Sequence, residues 1–336
     1  MIVTLTPNPS LDLLFSAERL VWDDANRIPM PRRRAGGQGI NVVRAARALR
    51  PGADARAIAP LGGTVGRELR ELLEAEGTPL TAVPIAGETR VFVGVRESET
   101  ERSLLLNPWG PAITGAEAEA LLAAVDRALA DGDGAADHGS GARPWLVGCG
   151  SLPPGLPPDY YARAGRLARA RGARFVPDCD GEALTAAVAG ADLLVPNDLE
   201  AARLGGRPVD GPEAAALAGR ELLGRGPDRV VITLGPDGAV GVDRSGAWWA
   251  RPSPPPEVGP RLARGSAVGA GDAFLAGLLQ ALDDGAATAA ALAAAVAAGT
   301  AALLSTGADL VRAEDAAEVR SWVETEPVPE ATGGSR

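Results

Sequence analysis

Apolar and polar positions in the second half of the chain follow two alternating periods. Short apolar segments with β-branched and aromatic residues are each followed by a longer segment with the period of an amphipathic helix. The predicted strands are 145–149, 174–177, 192–195 and 229–234, and the predicted helices are 159–171, 181–189 and one that begins at 199. Strands and helices that alternate at this spacing favour a parallel sheet with helices on both faces. The predicted fold class is therefore α/β.

The first half and the C-terminal end fit the same scheme less regularly. Further strands are predicted at 2–6 and 55–61, and further helices at 42–49, 65–76, 115–129, 273–282 and 287–304. The extended pieces within 12–33 and the hairpin-like pieces 89–97 and 101–106 fit no strand–helix unit. We predict a single domain over 1–324, and a disordered tail over the polar stretch 325–336.

Polar side chains follow the ends of several predicted strands. They are Asp12, Ser151, Asp178, Asn197 and Thr233. In open α/β sheets ligands bind beyond the carboxyl ends of the strands, so these side chains are predicted to share one rim of the sheet.

Two glycine clusters each lead into a predicted helix. The first is Gly36-Gly37-Gln38-Gly39, and the second is Gly269-Ala270-Gly271, which Asp272 follows directly. Glycines before a helix expose unpaired N–H groups that favour an anion. The carboxylate of Asp272 fits this setting if phosphate occupies the N–H groups while Asp272 takes a proton from a nucleophile. The alternative is a tightly packed turn with Asp272 as an ordinary first-turn residue.

Charge and composition exclude several classes of function. All 33 basic residues are arginine, and the net charge is −10. Without lysine the chain cannot form a P-loop or a Schiff base. The negative net charge argues against a nucleic-acid partner, and the short run Arg32-Arg33-Arg34 is predicted to lie on the surface.

Cysteine and histidine contribute no predicted site. Cys149 and Cys179 form no metal or disulfide pattern, and His138 lies in a Gly- and Asp-rich loop over 131–143, which argues against triad hydrolysis. No apolar run approaches the ~20 residues of a membrane span, and no signal peptide precedes the first strand. We therefore expect a cytoplasmic protein that makes no membrane contact.

Six motifs in order carry a family resemblance. They are Thr6-Pro7-Asn8-Pro9-Ser10-Leu11-Asp12, Gly36-Gly37-Gln38-Gly39-Ile40-Asn41-Val42, Gly150-Ser151-Leu152-Pro153-Pro154-Gly155, Pro196-Asn197-Asp198-Leu199-Glu200, Leu234-Gly235-Pro236-Asp237-Gly238-Ala239 and Val268-Gly269-Ala270-Gly271-Asp272. With them the chain resembles the ribokinase-like (PfkB) family of carbohydrate kinases, in its phosphofructokinase branch, over residues 1 to about 310.

This resemblance implies a fold and an activity. The fold is a mostly parallel central sheet with helices on both faces, plus a small β-sheet lid from about 12–33 and 89–107. The activity is ATP-dependent phosphorylation of a phosphosugar, first of all fructose 1-phosphate, to give fructose 1,6-bisphosphate in glycolysis. Fructose 6-phosphate and tagatose 6-phosphate are the alternative substrates. Two further hypotheses are a kinase for an unphosphorylated sugar or nucleoside, and a non-catalytic sugar or nucleotide sensor. A dinucleotide-binding oxidoreductase is excluded because no Gly-x-Gly-x-x-Gly follows the first strand.

The resemblance also assigns roles to residues. Asp272 would be the general base, and the backbone of Gly269, Ala270 and Gly271 the anion hole. The substrate contacts would be Asp12, Gly36, Gly37, Gln38, Asn41 and, for the phosphate, Arg90, with Arg102 and Arg27 as weaker candidates. ATP would contact Asn197, Thr233, Gly235, Gly238 and Gly271. Asn197 and Glu200 would organise Mg²⁺ through water or phosphate, with a solvated first-turn carboxylate as the alternative reading for Glu200.

Two departures from the family pattern leave questions open. Gln38 stands where many fructose-1-phosphate and tagatose-6-phosphate kinases have a lysine, which leaves the choice of phosphosugar open. Ser266-Ala267 stands where relatives often have Asp-Thr, so a potassium requirement stays open. The resemblance also implies a homodimer formed through the lid.

Overall fold

A computed structural model describes residues 1–133, 143–263, 268–305 and 310–329. Three of the features discussed above therefore lie outside the described residues, namely His138, the pair Ser266-Ala267 and the last part of the predicted tail, 330–336.

The described residues form strands and helices in the following order. The strands are β1 Ile2–Leu5, β2 Ser10–Ala17, β3 Arg32–Gly36, β4 Ala55–Leu61, β5 Leu80–Pro84, β6 Arg90–Glu97, β7 Ser103–Leu106, β8 Trp145–Cys149, β9 Arg174–Asp178, β10 Leu193–Leu194, β11 Arg229–Thr233, β12 Ala239–Asp243, β13 Gly246–Pro252 and β14 Val323–Pro327. The helices are α1 Gln38–Leu49, α2 Gly63–Ala75, α3 Gly115–Asp133, α4 Tyr160–Ala170, α5 Gly181–Ala187, α6 Asp198–Gly205, α7 Gly211–Leu223, α8 Gly259–Ala263, α9 Ala270–Asp283, α10 Thr288–Leu304 and α11 Ala313–Arg320.

The predicted parallel sheet is present, and it continues into more strands than predicted. A five-stranded sheet has the order β5-β4-β1-β8-β9 with parallel pairing throughout. A second five-stranded sheet has the order β10-β11-β12-β13-β14, parallel between β10 and β11 and antiparallel after that. Asp192 N donates to Phe175 O at 2.9 Å, so the second sheet begins beside β9. The antiparallel extension was not predicted.

Alternate strand residues face two separate apolar layers. In β1, Ile2 belongs to the core that α1, α9 and α10 cover, and Val3 belongs to the core that α3, α4 and α7 cover. This confirms the prediction of helices on both faces, since a strand buried on both sides needs apolar residues in both directions. α10 is buried nearly all around, as its Ala-rich composition predicts.

A separate four-stranded sheet has the order β3-β2-β6-β7. β2 pairs in parallel with β6, and the other two pairs are antiparallel. These strands are formed mainly by the two segments that fitted no strand–helix unit, 12–33 and 89–107. However, β2 begins earlier, at Ser10, and β3 ends later, at Gly36. The register places Ser10 beside Gly36 and Arg90, and Asp12 beside Arg34 and Phe92.

Several predicted boundaries differ from the structure, and two differences are instructive. α1 begins at Gln38, four residues before the predicted start, because the first glycine cluster supplies the helix's first turn. The predicted tail is also wrong in its first part, since β14 pairs with β13 and Val328 N donates to Ala247 O at 2.8 Å. Backbone pairing orders this polar segment without requiring apolar side chains. None of the described helices is long and apolar enough to cross a bilayer.

Candidate active site

The glycine turn before α9 places Asp272 in the first turn of that helix. Gly269 caps the helix with φ +86°, and Ala273 N donates to Gly269 O at 3.0 Å. A Cβ at position 269 would overlap the side chain of Leu310 and would be strained by the positive φ, so the turn requires glycine. The N–H groups at the start of α9 lack helical partners and are available to an anion.

The Asp272 carboxylate is buried and is held by one side chain. Asn41 Nδ2 donates to Asp272 Oδ2 at 2.8 Å, which brings the N-terminal turns of α1 and α9 together. Burial raises the pKa of Asp272 to about 7, although the Asn41 hydrogen bond and the charge of Arg34 both lower it. A carboxyl group with a pKa near neutrality is suited to accept and release a proton at physiological pH.

Asp12 is a second buried carboxylate, on β2 of the small sheet. Ser10 Oγ donates to Asp12 Oδ1 at 2.6 Å, and Arg34 Nη2 lies 3.6 Å from Asp12 Oδ2. Burial raises the pKa of Asp12, and the Ser10 hydrogen bond and the nearby arginines act against this. A Cβ at Gly36 would overlap the Asp12 carboxylate, so the glycine allows this close approach.

Asp178 and Glu200 form a third group of carboxyl side chains. Burial, together with the charges of Asp272 and Glu200, raises the pKa of Asp178 to about 8. Burial also raises the pKa of Glu200. The sequence singled out Asp178 only as a polar residue after a predicted strand. In the structure it is the last residue of β9, and this position at the strand end was the available signal.

The predicted Asn-x-x-Glu element forms a capping box at the start of α6. Glu200 N donates to Asn197 Oδ1 at 2.8 Å, and Asn197 N donates to Glu200 Oε2 at 2.9 Å. Glu200 is therefore more than a solvated first-turn carboxylate, because its side chain caps the N-terminus of α6 and is held in a fixed orientation. The backbone of Asn197 also forms an isolated parallel β-bridge with Thr233, which joins this turn to the end of β11.

A cavity of about 340 Å³ lies at this rim of the sheet. Its lining includes Gln38, Gly150, Asp178 and Glu200, and it brings the first glycine cluster together with the turns after β8 and β9. Gly235 and Gly238 lie in the turn between β11 and β12, where Leu234 N donates to Gly238 O at 2.8 Å.

The two predicted phosphate-binding arginines lie in different surroundings. The guanidinium of Arg90 is half-buried and donates to Asn8 O at 2.8 Å and Pro108 O at 3.0 Å, and also to the Asn107 side chain. Burial lowers the pKa of Arg90. Arg102 is exposed, one residue before the start of β7.

One arginine that was predicted to lie on the surface points towards the site instead. β3 alternates its side chains, so Arg33 is exposed and pairs with Glu68, whereas Arg34 is partly buried beside Asp12. The surface prediction for 32–34 was therefore wrong for Arg34. The period of two along a strand was the signal that could have separated the two residues.

Comparisons with known proteins agree with this arrangement. The profile of the pfkB family carbohydrate kinases matches residues 10–315. The ATP-dependent 6-phosphofructokinase isozyme 2 of Escherichia coli is 33% identical over 326 residues, which cover 96% of this chain and 98% of that protein. The 1-phosphofructokinase of Xanthomonas campestris is 34% identical over 295 residues, which cover 84% of this chain and 85% of that protein.

The fold comparison gives the same result. The crystal structure of phosphofructokinase-2 from Escherichia coli in complex with fructose-6-phosphate superposes with a TM-score of 0.82 at 31% identity, and the match covers 96% of this chain and 98% of that one. The expected ribokinase-like α/β fold is thereby confirmed, as is the expected phosphotransferase class. The chain belongs to the PfkB family of carbohydrate kinases.

Proposed function

We propose that this kinase uses ATP to convert a fructose monophosphate into fructose 1,6-bisphosphate. The observation that carries the proposal is the buried Asp272 carboxyl, with its pKa raised to about 7, at the N-terminus of α9. A base and an anion-binding helix end at one place are the two parts that phosphoryl transfer to a hydroxyl needs.

The proposed reaction uses this geometry in the following way. Asn41 occupies Oδ2 of Asp272, which leaves Oδ1 to accept the proton of the substrate hydroxyl. The hydroxyl oxygen then bonds to the γ-phosphorus of ATP, the bond from that phosphorus to its bridging oxygen breaks, and ADP leaves with the electron pair. The N–H groups contributed by Gly269, Ala270 and Gly271 stabilise the negative charge on the transferred group.

The remaining predicted residues are assigned to the two substrates. Asp12 and Asn41 would bind sugar hydroxyls beside Gly36 and Gly37. Thr233, Gly235, Gly238 and Asn197 would hold the nucleotide at the ends of β11 and α6, an assignment supported by the Asn197–Thr233 bridge. Gln38 lines the cavity between these two regions.

Mg²⁺ fits the acidic side of the cavity. Asp178 and Glu200 face one cavity, and the Glu200 charge helps to raise the pKa of Asp178, so a cation would relieve their repulsion. No group of three or more ligating side chains occurs among the described residues. Glu200 and Asp178 would hold Mg²⁺ together with water and nucleotide phosphates, and the ion would neutralise phosphate charge.

Fructose 6-phosphate is the proposed preferred substrate, in place of the fructose 1-phosphate that the motifs first suggested. Two relatives named ATP-dependent 6-phosphofructokinase isozyme 2 match 94% and 96% of this chain, whereas the 1-phosphofructokinase of Xanthomonas campestris matches 84%. Gln38 also departs from the lysine found in many fructose-1-phosphate kinases. Fructose 1-phosphate is the second candidate, because the 1-phosphofructokinase of Xanthomonas campestris is as similar in sequence, at 34% identity.

An ADP-release assay with Mg²⁺ and ATP tests both levels of the proposal. The acceptors are fructose 6-phosphate, fructose 1-phosphate, tagatose 6-phosphate, fructose and ribose, compared by kcat/KM. The highest value is expected for fructose 6-phosphate. A highest value for fructose 1-phosphate would reverse the order of the two candidates, and a highest value for an unphosphorylated sugar would overturn the proposal.

A cytoplasmic homodimer formed through the small sheet is part of the proposal. β7 is an edge strand, and the side chains of Leu105, Leu106 and Trp109 on it and just beyond it are exposed. A second copy would cover this apolar edge. The mass in solution measured by light scattering tests this, and Leu106→Asp should convert a dimer into a monomer.

A further inference from the structure

The turn between β11 and β12, formed by residues 234–238, presents its backbone to open space. Leu234 N donates to Gly238 O at 2.8 Å, and Asp237 N donates to Leu234 O at 3.1 Å. Residues 235–237 are exposed, and a Cβ at Gly235 would meet no atom within 4 Å. The turn therefore leaves room for a ligand beside its peptide groups.

A side chain from a neighbouring strand holds this turn. Trp249, on β13, donates from its indole Nε1 to Asp237 O at 2.7 Å. In the β12–β13 pair Trp249 lies opposite Val240, so the indole extends past the first residue of β12 to reach the turn. A hydrogen bond to a backbone oxygen fixes the orientation of that peptide group.

The turn also packs directly on the backbone of β13. A Cβ at Gly238 would overlap Ala250 O and come within 2.8 Å of the Cα of Arg251, and the φ of Gly238 is +85°. The turn thus contacts β13 at two points, through Gly238 and through the indole of Trp249. The position of the turn depends on this strand as well as on β11 and β12.

The indole of Trp249 is itself held in place. The guanidinium of Arg251 lies over the Trp249 ring, 4.8 Å from the ring centroid, and its Nη2 donates to Glu324 Oε2 at 2.8 Å. Trp249 and Arg251 are two residues apart on one strand, so they share a face of the sheet. Since Glu324 lies on β14, the C-terminal strand supports the ring through Arg251.

We propose that Trp249 is a positioning residue for the nucleotide, because its indole N–H holds the β11–β12 turn in the form that binds ATP. This role rests on the proposed function, which assigns Gly235 and Gly238 in that turn to the nucleotide. Trp249 acts through the Asp237 carbonyl and does not touch ATP. A turn that is already ordered loses less conformational freedom on binding, which strengthens affinity.

Two variants of Trp249 separate the N–H donor from the bulk of the ring. Trp249→Phe keeps an aromatic ring and removes the donor. Trp249→His removes the six-membered ring of the indole and keeps a donor, because Nε2 of imidazole occupies the ring position that corresponds to Nε1 of indole. His should therefore preserve the contact with Asp237 O, although it leaves the space of the lost ring unfilled.

Loss of one hydrogen bond predicts a rise of about 3- to 10-fold in the KM for ATP in Trp249→Phe. The KM for the sugar phosphate and kcat should stay near their wild-type values, since neither depends on this turn. Trp249→His should keep the wild-type KM for ATP, while its midpoint of thermal unfolding falls below that of Trp249→Phe.

Trp248→Phe is the matched control. Trp248 is the preceding residue of the same strand and is also partly buried, but it packs against the core that α1, α9 and α10 cover, on the opposite face from Trp249. The same substitution at this position should leave the KM values for both substrates as in the wild type.

Calorimetric titration with Mg²⁺ and a non-hydrolysable ATP analogue, in the absence of sugar, gives a second measurement. The Kd should weaken in Trp249→Phe by the same factor as the KM for ATP, and it should stay at the wild-type value in Trp249→His and Trp248→Phe. A wild-type KM and Kd in Trp249→Phe would overturn the proposal. So would a larger rise in Trp249→His than in Trp249→Phe, because nucleotide affinity would then follow the bulk of the ring.

The two proposals fail in different ways. If the wild-type enzyme phosphorylates none of the sugar acceptors with ATP, the proposed function is wrong. If the wild-type enzyme uses ATP and the two Trp249 variants do not differ in nucleotide affinity, only the role of Trp249 is wrong.

Discussion

Asn41 Nδ2 donates a 2.8 Å hydrogen bond to Oδ2 of Asp272, and this bond links the first turns of α1 and α9. It fixes one carboxylate oxygen, and the proposed reaction uses the other. It also favours the charged form of Asp272 against the effect of burial. Asn41 was predicted as a sugar contact, and the structure gives it this additional partner.

Asn41→Leu should move the pH profile of the reaction. Without the hydrogen bond the pKa of Asp272 rises further above about 7, so the rising limb of kcat/KM should shift upward by about one pH unit. The activity lost at pH 7 should partly return at pH 9. The measurement is kcat/KM between pH 5.5 and 9.5.

Gln280→Leu serves as the control for that shift. Gln280 Nε2 donates to Ala46 O at 2.6 Å, so this variant removes another hydrogen bond between the same two helices without touching Asp272. Its pH midpoint should equal that of the wild type. Equal midpoints in Asn41→Leu and the wild type would show that Asn41 does not set the pKa of the base.

Asp272→Asn should abolish turnover while it changes how stability depends on pH. The folded-state pKa is raised from 3.8 to about 7, so the carboxyl's stabilising contribution is complete below pH 4 and is lost as the pH rises through 7. Between pH 5.5 and 8.5 this loss amounts to about 2 kcal/mol. Urea unfolding at the lower and the higher of these pH values measures this loss. The free energy of unfolding should decrease less between them in the variant than in the wild type. An equal decrease would mean that Asp272 titrates near its usual range.

The sequence predicted the parts of the site that are contiguous in the chain. The glycine turn with Asp272 was predicted from its own residues, and the Asn197–Glu200 pair was assigned through the family resemblance. Each lies within the first turn of a helix. The alternating pattern of strands and helices likewise predicted the parallel sheet, because both faces of each strand are buried.

The parts that the sequence did not predict depend on contacts across long distances. Arg34 reaches the site only because β3 pairs with β2 in one particular register, and a shift by one residue would expose it and bury Arg33. Asp178 gains its raised pKa from burial and from Asp272 and Glu200, which lie on other elements. β14 was assigned to a tail because its residues are polar, whereas its order comes from backbone pairing with β13.

Two substitutions at Glu200 should separate its structural role from its proposed Mg²⁺ role. Glu200→Gln keeps an oxygen for Asn197 N and removes the charge, so stability should be retained while the Mg²⁺ concentration for half-maximal activity rises about tenfold. Glu200→Ala should show the same rise and also lose about 1 kcal/mol of stability. An unchanged Mg²⁺ requirement in Glu200→Gln would leave only the capping role.

Arg90→Ala should chiefly affect stability. The half-buried guanidinium donates to Asn8 O and Pro108 O. Its removal should therefore cost about 2–4 kcal/mol of unfolding free energy. Arg96→Ala is a control on the same strand, because Arg96 forms an exposed pair with Glu101 and should cost at most about 1 kcal/mol. Chemical denaturation measures both values. Equal stability losses in the two variants would contradict the structural role of Arg90.

Gly271→Ala probes the space into which the phosphoryl group is proposed to move. Gly271 is exposed in the first turn of α9, and a Cβ there would meet no atom within 4 Å, so the free enzyme should keep its stability or gain about 0.5–1 kcal/mol. The methyl group would nevertheless occupy open space beside the helix N–H groups, where the transferred phosphoryl group is proposed to bind. We therefore expect kcat to fall at least ~10-fold, since loss of an oxyanion-type contact has effects of this order or larger.

Gly205→Ala provides the comparison for that experiment. Gly205 ends α6, and an added Cβ there would also meet nothing within 4 Å, so this variant should match the wild type in kcat. Steady-state kinetics and thermal unfolding of the wild type, Gly271→Ala and Gly205→Ala separate an effect on catalysis from an effect on stability. A wild-type kcat in Gly271→Ala would mean that the transferred group does not approach this turn, and the anion hole would then have to lie elsewhere.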